Sequence, residues 1–326
     1  RCASEIGAGC GSTGWVYSTA AQHQCQIGMY DVAAQDEVWG DDPYQISASS
    51  YSPGGTAVEV DGGYRITGKW LYCSGVLNAD WMILGARIAK DSNSDPYTQG
   101  YILVPKAQYS VEDNWDVMGL IGTGSNDVEV ADLFVPAYRS LSVEETKYGE
   151  APGTKVNSGP LYRLGTFAMF SVVQSSTSYG HARGTFDNFI AETRERTARL
   201  SGKSVIDYGT TQAKIAEAAV VLDAAKELLH ACCNEAMEVA AAGQIMDMTD
   251  KSRMRGNATF AGNLAGRAVE LMFSLVGGAG LYDTNPMSRA MRDMKSMQAH
   301  ITQNWDVNGC NYGRVLLGLS NPDTTV

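Results

Sequence analysis

The sequence has too few basic residues for a nucleic-acid-binding surface and no apolar segment long enough for a membrane span. It contains 25 Lys and Arg against 36 Asp and Glu, a net charge of −11, whereas phosphate binding requires concentrated positive charge. No apolar run approaches the roughly 20 residues that cross a bilayer, and the first residues contain no apolar signal-peptide core. We therefore predict neither a nucleic-acid partner nor a membrane attachment.

A disulfide framework is also missing. The seven cysteines are an odd number, which fits no closed set of disulfides, and none of them forms a C-x-x-C pair. Reduced, mostly buried thiols are typical of the cytoplasm, so we predict a cytoplasmic protein. The sequence lacks an initiator Met and opens directly in helix-like residues, and we therefore expect it to be incomplete at the N-terminus.

What is present is the composition of a folded globular protein. Hydrophobic residues make up 44% and charged residues 19% of the 326 positions, enough to bury the cores of two or three packed units. The patterns along the chain divide it into a partial N-terminal helical domain (1–42), a middle β domain (43–146) and a C-terminal helical bundle (147–326).

The first segment is predicted to be helical because its larger side chains recur at spacings of three and four. This spacing places Val16, Ala20, His23, Ile27 and Tyr30 on one face of a helix.

The same segment contains Gly9–Gly14, "GCGSTG", which matches the dinucleotide fingerprint G-x-G-x-x-G. That motif indicates a nucleotide site only directly after a buried strand. Here "RCASEI" precedes it, and this is not a strand of that kind. We interpret the glycines as positions of close helix packing.

The middle segment shows the alternation typical of strands. Val58 and Val60, then Tyr64 and Ile66, lie two apart around a Gly62-Gly63 turn, which predicts a hairpin. "ADWMILGARI", "QGYILVPKA" and "DVEVADLFVPAYRSL" add further short strands.

Helices are predicted from there to the end of the sequence. Ile215, Leu222 and Leu229 recur at heptad spacing, with small residues between them, so they form one apolar stripe of a long bundle helix. His230 lies one residue off this stripe, at its polar border.

Several stretches carry a family resemblance. "DGGYRITGKWLYCSG", "ADWMILGA", "MGLIGTGSNDVEVADLFVP" and "GHARGTFDNF" resemble the acyl-CoA dehydrogenase superfold, in the right order and over nearly the whole chain. The resemblance implies an α+β multidomain fold: N-terminal helices, here partial, a middle β-barrel-like domain and a C-terminal four-helix bundle.

Two details resemble one branch of that superfold, the oxygenase components of two-component, reduced-flavin-dependent monooxygenases. They are Trp15 and His23 on the first helix, and the "AHITQNWD" stretch that contains His300. The branch hydroxylates aromatic substrates, such as hydroxyphenylacetate and secosteroid phenols, with O2 and reduced flavin through a C4a-hydroperoxyflavin. The resemblance therefore implies a hydroxylase that uses reduced FMN or FAD.

An acyl-CoA dehydrogenase-type flavin oxidoreductase is the alternative. That chemistry requires a carboxylate base, which the family commonly places in a "YEGT"-like stretch after a glycine pair. This sequence has no Glu after Gly277-Gly278. Some members place the base elsewhere, so the alternative stays open at this point.

The resemblance implies a small set of catalytic residues. His300 would hold the peroxide, His23 would face the substrate pocket with Trp15 as a pocket wall, and the Ser74 hydroxyl would bind flavin N5. Imidazole suits the proton chemistry because its pKa lies near working pH. Taken alone, His300 could instead be a capping or core histidine, and Ser74 an ordinary turn serine.

The resemblance also implies cofactor-binding positions. A loop over the flavin, the strand beside its ring, a cationic segment for its phosphate and a glycine pair correspond here to Ser49, Ser50, Tyr72, Cys73, Ser74, Arg196, Arg199, Lys203, Gly277 and Gly278. The segment "RERTARLSGKS" departs from the family pattern, so which arginine binds phosphate stays open. Core-strand packing, a solvated helix end and a helix stop are the corresponding structural alternatives.

The implied partners follow from this cofactor chemistry. With the fingerprint rejected we see no nicotinamide site, so a separate NAD(P)H:flavin reductase must supply reduced flavin. The substrate would be a small aromatic molecule. The family's phosphate-binding segment works across a subunit boundary, which implies a homotetramer.

Overall fold

Eight α-helices and seven strands make up the part of the chain that the computed structural model describes, residues 1–198, 201–323 and 325. The helices are α1 (Cys2–Gly9), α2 (Gly11–Ile27), α3 (Val32–Trp39), α4 (Thr166–Arg194), α5 (Gly209–Ala241), α6 (Met248–Val276), α7 (Pro286–Ala299) and α8 (Trp305–Leu316). The strands are β1 (Ser47–Val60), β2 (Gly63–Trp70), β3 (Trp81–Ala89), β4 (Thr98–Pro105), β5 (Ser110–Glu112), β6 (Asp127–Pro136) and β7 (Ser140–Ser142).

The predicted hairpin is confirmed. β1 and β2 pair antiparallel, and Val60 stands opposite Gly63. Gly62 in the turn has φ +76°, a backbone conformation that glycine adopts without the steric cost that a Cβ would bring.

All seven strands form one sheet in the order β5-β6-β2-β1-β3-β4-β7. The pairing of β1 with β3 is parallel, and the other pairs are antiparallel. β5 and β7 are the two edges of this order. The expectation of a barrel-like domain is therefore corrected: among the described residues β5 and β7 each pair with one neighbour, so the sheet is open.

Both faces of strands β3 and β4 are covered. On one face Met82 and Ile102 join the core of the β domain. On the other face Ile83 and Leu103 pack with Ile27 and other residues of the N-terminal helices. This second core attaches α2 and α3 to the sheet, and it brings the C-terminal half of α2, where His23 lies, against β1.

The glycine-rich segment Gly9–Gly14 spans the junction between α1 and α2, and helix α1 precedes it rather than a strand. A Cβ added to Gly14 would lie 2.6 Å from the Cα of Gly7. The glycines thus permit close contact between the first two helices, as the sequence indicated, and the dinucleotide interpretation is rejected.

In the C-terminal part, α4 and α6 run side by side and α5 packs against both, with α7 and α8 on α6. The predicted stripe of α5 is buried, with Leu222 and Leu229 at most 4% exposed, whereas His230 is exposed. Of the other histidines, His181 bonds the Ala290 carbonyl in the contact between α4 and α7.

By length and composition alone, the apolar stretch Met248–Leu281 could cross a membrane. The stretch consists of α6 and the turn after it, and α6 lies between α4, α5 and α8. It also buries two cationic side chains, Lys251 and Arg255. Helix packing inside the protein accounts for its apolar character.

Candidate functional site

His23 is held at the junction of α2 and β1. Its side chain is 1% exposed. Its Nδ1 lies 2.7 Å from the carbonyl oxygen of Ser47, and its Nε2 lies 2.8 Å from Ser49 Oγ. A carbonyl only accepts hydrogen bonds, so Nδ1 carries the proton of the neutral ring. Nε2 is therefore the acceptor, and it receives the hydrogen bond of the Ser49 hydroxyl.

His300 occupies the turn between α7 and α8 and has the opposite polarity. Its Nδ1 accepts from the backbone N–H of Thr302 at 3.3 Å and lies 2.8 Å from the Thr302 hydroxyl. Since Nδ1 is an acceptor, the neutral ring carries its proton on Nε2. Among the described residues nothing accepts from Nε2, which leaves this N–H available to a ligand. His300 therefore caps the following turn through Nδ1, as the sequence allowed, and its Nε2 takes no part in the cap.

Aromatic rings connect the two histidines. His300 packs edge-on against Trp15, with ring centroids 5.2 Å apart, and against Phe170 at 5.9 Å. Phe170 packs on Tyr51 at 5.5 Å, and Tyr51 packs on His23 at 5.8 Å. The structure therefore brings His23, His300 and Trp15 to one aromatic cluster, as expected from the sequence, although Trp15 contacts His300 rather than His23.

Burial sets the protonation of both imidazoles. It lowers the pKa of His23 to about 4, and the hydrogen bond to Ser47 only partly opposes this. Burial also lowers the pKa of His300 to about 4, with a further contribution from the nearby positive charge of Arg255. Both rings are neutral at pH 7, and the hydrogen-bond polarities derived above hold under working conditions.

Ser74 follows β2, beside an exposed apolar surface. Its hydroxyl lies 2.8 Å from Ser125 Oγ, which lies 2.7 Å from Thr123 Oγ1. Tyr72, 68% exposed, has φ +63°, an unfavourable conformation for a tyrosine that points to a functional constraint. Three other large apolar side chains, close in sequence to these hydroxyl residues, are also exposed: Leu71, Met118 and Ile121.

Two other predicted cofactor-binding residues near Ser74, Ser50 and Cys73, have buried side chains. Ser50 is buried and donates to the Leu71 carbonyl at 3.0 Å, which ties β1 to the end of β2. Cys73 is fully buried in the core of the β domain. Its thiol therefore lies inside that core and is not exposed to a ligand.

The cationic segment and the glycine pair lie together at the far end of α4. Arg196 donates to the carbonyls of Leu275 and Val276, at 3.3 and 3.4 Å, immediately before Gly277. Gly277 has φ +71°, and no atom of the described residues lies within 4 Å of a Cβ added to it or to Gly278. Lys203 is exposed, and Arg199 lies outside the described residues.

Within one chain, Arg196 and the glycine pair are far from the aromatic cluster around His300. Arg194 ends α4, and Phe170 lies near its start. Twenty-four residues of α-helix span about 36 Å at 1.5 Å per residue. The structure therefore does not bring Arg196 and the glycine pair to the cluster around His300.

Several residues that sequence reasoning missed complete the cluster. Tyr51 and Phe170 form its walls, and the Ser47 carbonyl and Thr302 fix the histidine tautomers. Ser171, next to Phe170 in the sequence, has a fully buried hydroxyl without a partner among the described residues. The only available signals were that Tyr51 follows the serine pair and that Thr302 lies two residues beyond His300.

Comparisons with known proteins identify the family of this chain. Residues 172–305 match the family model described as acyl-CoA dehydrogenase, C-terminal domain. The chain is 33% identical over 324 residues to the FADH(2)-dependent resorcinol hydroxylase, oxygenase component, of Rhizobium sp. (strain MTP-10005), covering 97% of this chain and 79% of the relative. It is also 33% identical to the flavin-dependent monooxygenase, oxygenase subunit HsaA, of Mycobacterium tuberculosis (strain CDC 1551 / Oshkosh), covering 97% and 80%.

Solved structures agree as well. The 3-HSA hydroxylase from Rhodococcus sp. RHA1 superposes with a TM-score of 0.92 at 31% identity, covering 99% of this chain and 83% of that one. XiaF from Streptomyces sp., in complex with FADH2 and glycerol, gives a TM-score of 0.91 at 28% identity, covering 99% and 82%. The dehydrogenase alternative is not favoured. The chain has the acyl-CoA dehydrogenase-like fold and belongs to the oxygenase components of reduced-flavin-dependent monooxygenases.

Proposed function

We propose that this protein hydroxylates a small phenol with O2 and reduced FMN or FAD supplied by a separate NAD(P)H:flavin reductase. The observation that carries the proposal is the opposite polarity of two histidines at the two ends of one aromatic cluster: His23 Nε2 accepts from the Ser49 hydroxyl, and His300 Nε2–H is left to donate. The relative from Rhizobium is named a resorcinol hydroxylase, which supports a phenolic substrate.

The surface beside Ser74 fits a flavin ring. A planar apolar ring would cover the exposed side chains of Tyr72 and Ile121, and such patches mark ligand sites. The Ser74 hydroxyl, backed by Ser125, would hold a polar ring edge, with Ser50 and the Cys73 backbone supporting the strand end. Reduced flavin, when bound, would supply the two electrons that activate O2, so that one oxygen atom of O2 enters the phenol and the other leaves as water.

His23 and Ser49 would carry the phenolic proton. The phenol donates to Ser49 Oγ, and the Ser49 hydroxyl passes its own proton to His23 Nε2. Burial keeps the His23 pKa near 4, so the imidazole does not take the proton from the resting phenol. It accepts the proton as oxidation of the ring makes the phenol more acidic, and the Ser47 carbonyl then stabilises the imidazolium through Nδ1–H.

His300 would act as a hydrogen-bond donor and not as a base. Thr302 occupies its Nδ1, so Nε2–H is the group that faces a ligand. Trp15 and Phe170 pack against the ring and keep water away from this N–H. A fixed donor in a dry pocket stabilises developing negative charge without reorganisation.

The cationic segment could complete the flavin site only of a neighbouring subunit. Because Arg196, Lys203 and the Gly277-Gly278 pair lie far from His300 in the same chain, they would reach the flavin phosphate of a neighbouring subunit, with Arg199 a further candidate. We therefore propose a homotetramer, located in the cytoplasm. Its subunits would have the three-part organisation 1–42, 43–146 and 147–326, with α4–α7 as the four-helix bundle.

The direct test mixes the protein anaerobically with chemically reduced FMN or FAD and a phenol, and then adds ¹⁸O2. We expect one ¹⁸O atom in the hydroxylated product and no requirement for acyl-CoA. A panel of phenols, indoles and thioethers identifies the substrate class. Absence of ¹⁸O from every product, together with no binding of reduced flavin in equilibrium dialysis, would contradict the proposed function.

A further inference from the structure

A buried arginine lies beside the aromatic cluster. Arg255, on α6, is 6% exposed and stands one turn before Thr259, whose hydroxyl donates to the Thr302 carbonyl at 2.8 Å. Its positive charge is close enough to lower the pKa of His300, although burial of that histidine is the larger cause. The arginine therefore belongs to the His300 end of the cluster.

The register of two helices places more polar groups at the same level. Lys251 lies near Gly165 and Gly262 lies near Ser175, so α4 and α6 run parallel and Ser171 is level with the Arg255 turn. Among the described residues, the fully buried Ser171 hydroxyl has no hydrogen-bond partner. Arg255 Nε, also buried, has no partner among them either. Buried polar groups are normally hydrogen-bonded, so these two unused donors indicate a place for a polar group of a ligand.

A carboxylate from the last described segment neutralises this arginine. Asp323 Oδ2 lies 2.7 Å from Arg255 Nη1, with only 18% of the Asp323 side chain exposed. Asn321 donates to Ser252 Oγ at 3.0 Å, which fixes the segment along α6. The Asp323 charge also contributes, after burial and Tyr51, to raising the pKa of Tyr101, a residue that packs on Tyr51. The Asp323 carboxylate is therefore close enough to the cluster for its charge to act on Tyr101.

We propose that Arg255 is a specificity-determining residue of the substrate pocket and that Asp323, by neutralising it, restricts the pocket to uncharged phenols. This inference rests on the proposed function. In the present pairing a substrate carboxylate would approach Arg255 next to the Asp323 carboxylate, which repels it. A hydroxyl or carbonyl oxygen meets no such repulsion and bonds to the free Nε or to Ser171.

The test compares phenols that differ only in charge: 3-hydroxybenzoate with 3-hydroxybenzyl alcohol, and 4-hydroxyphenylacetate with 4-hydroxyphenethyl alcohol. Both kcat/KM and the Kd from calorimetry are measured. We expect Asp323→Asn to raise the carboxylate-to-alcohol ratio roughly ten- to a hundredfold, because a hydrogen bond to a charged group becomes available. In the double variant Arg255→Met with Asp323→Asn, the ratio should return to that of the unaltered protein.

If the Arg255–Asp323 ion pair only fixed the segment around Asp323, its loss would change kcat/KM and Kd equally for the carboxylate and the alcohol of each substrate pair. An unchanged ratio in Asp323→Asn, or the same rise in the double variant, overturns the proposal. Circular dichroism and the thermal midpoint show that each variant is folded. If no phenol is hydroxylated by the unaltered protein, the proposed function fails, and the calorimetric ratio reports separately on the role of Arg255.

Discussion

The two ends of the aromatic cluster use the same side chain in opposite ways. At the α2–β1 end, a carbonyl fixes the His23 proton on Nδ1 and leaves Nε2 as an acceptor behind Ser49. At the α7–α8 end, the Thr302 N–H binds Nδ1 of His300 and leaves Nε2–H as a donor. Burial keeps both rings neutral. A single partner at Nδ1 therefore decides whether an imidazole takes or gives a hydrogen bond.

Replacing His23 should have the largest effect. We expect His23→Ala to lower kcat for phenol hydroxylation about a thousandfold at pH 7, within the range for loss of general base catalysis. The defect should shrink as pH approaches the pKa of the phenol, about 10 by analogy with tyrosine, because the substrate then arrives deprotonated. A pH-rate profile measures this. A defect that is constant with pH would rule out the role as proton acceptor.

Acid should destabilise the flavin-free protein through the same residue. The folded His23 pKa of about 4 lies below its ordinary value of 6.5, so between these values the unfolded chain binds more protons. The contribution of His23 to the free energy of unfolding is fully present above about pH 6.5. It falls by about 3 kcal/mol as the pH drops to about 4.

Urea titrations of His23→Asn across this range should show a shallower pH dependence than those of the unaltered protein. The exposed His230 provides the matched control, since His230→Asn should leave the slope unchanged. Equal slopes for both variants would contradict burial of a neutral His23.

Replacing His300 should affect coupling and not proton uptake. We expect His300→Ala to lower product formation about a hundredfold through loss of a fixed donor, with a corresponding rise in the share of O2 released as H2O2. Unlike the His23 defect, this one should persist at high pH. Peroxide and product are quantified per reduced flavin consumed, with His230→Ala as the control. Unchanged coupling would refute the assigned role.

Removing the relay hydroxyl should have the smallest effect. Ser49→Ala leaves His23 Nε2 unprotonated, because the Ser47 carbonyl still holds the other nitrogen. The rate should fall about tenfold, the cost of one lost hydrogen bond of roughly 1.4 kcal/mol, and Ser49→Thr should restore most of it. If Ser49→Ala loses as much activity as His23→Ala, the Ser49 hydroxyl is indispensable. Its assignment as a replaceable relay to His23 would then be wrong.

Much of the fold followed from local pattern. The Gly62-Gly63 hairpin, the buried stripe of α5 and rejection of the glycine fingerprint needed only periodicity and turn chemistry, because these features are decided by neighbours in sequence. The open edges of the sheet did not follow, since closure depends on pairing between distant strands. His23 and His300 as candidates came from a resemblance, and no spacing rule joins residues 277 positions apart.

By itself, the sequence determined the order of helices and strands, the absence of a glutamate base after Gly277-Gly278 and the presence of imidazoles near both ends of the chain. Only the tertiary structure decided which nitrogen of each imidazole donates and which accepts, because the Ser47 carbonyl and the Thr302 N–H are backbone groups that almost any residue could supply. It also decided that Arg196 lies too far from His300 to share a site within one chain, and that Asp323 neutralises Arg255. Hydrogen-bond polarity, distance and charge pairing arise from packing, and a linear pattern of side chains does not encode them.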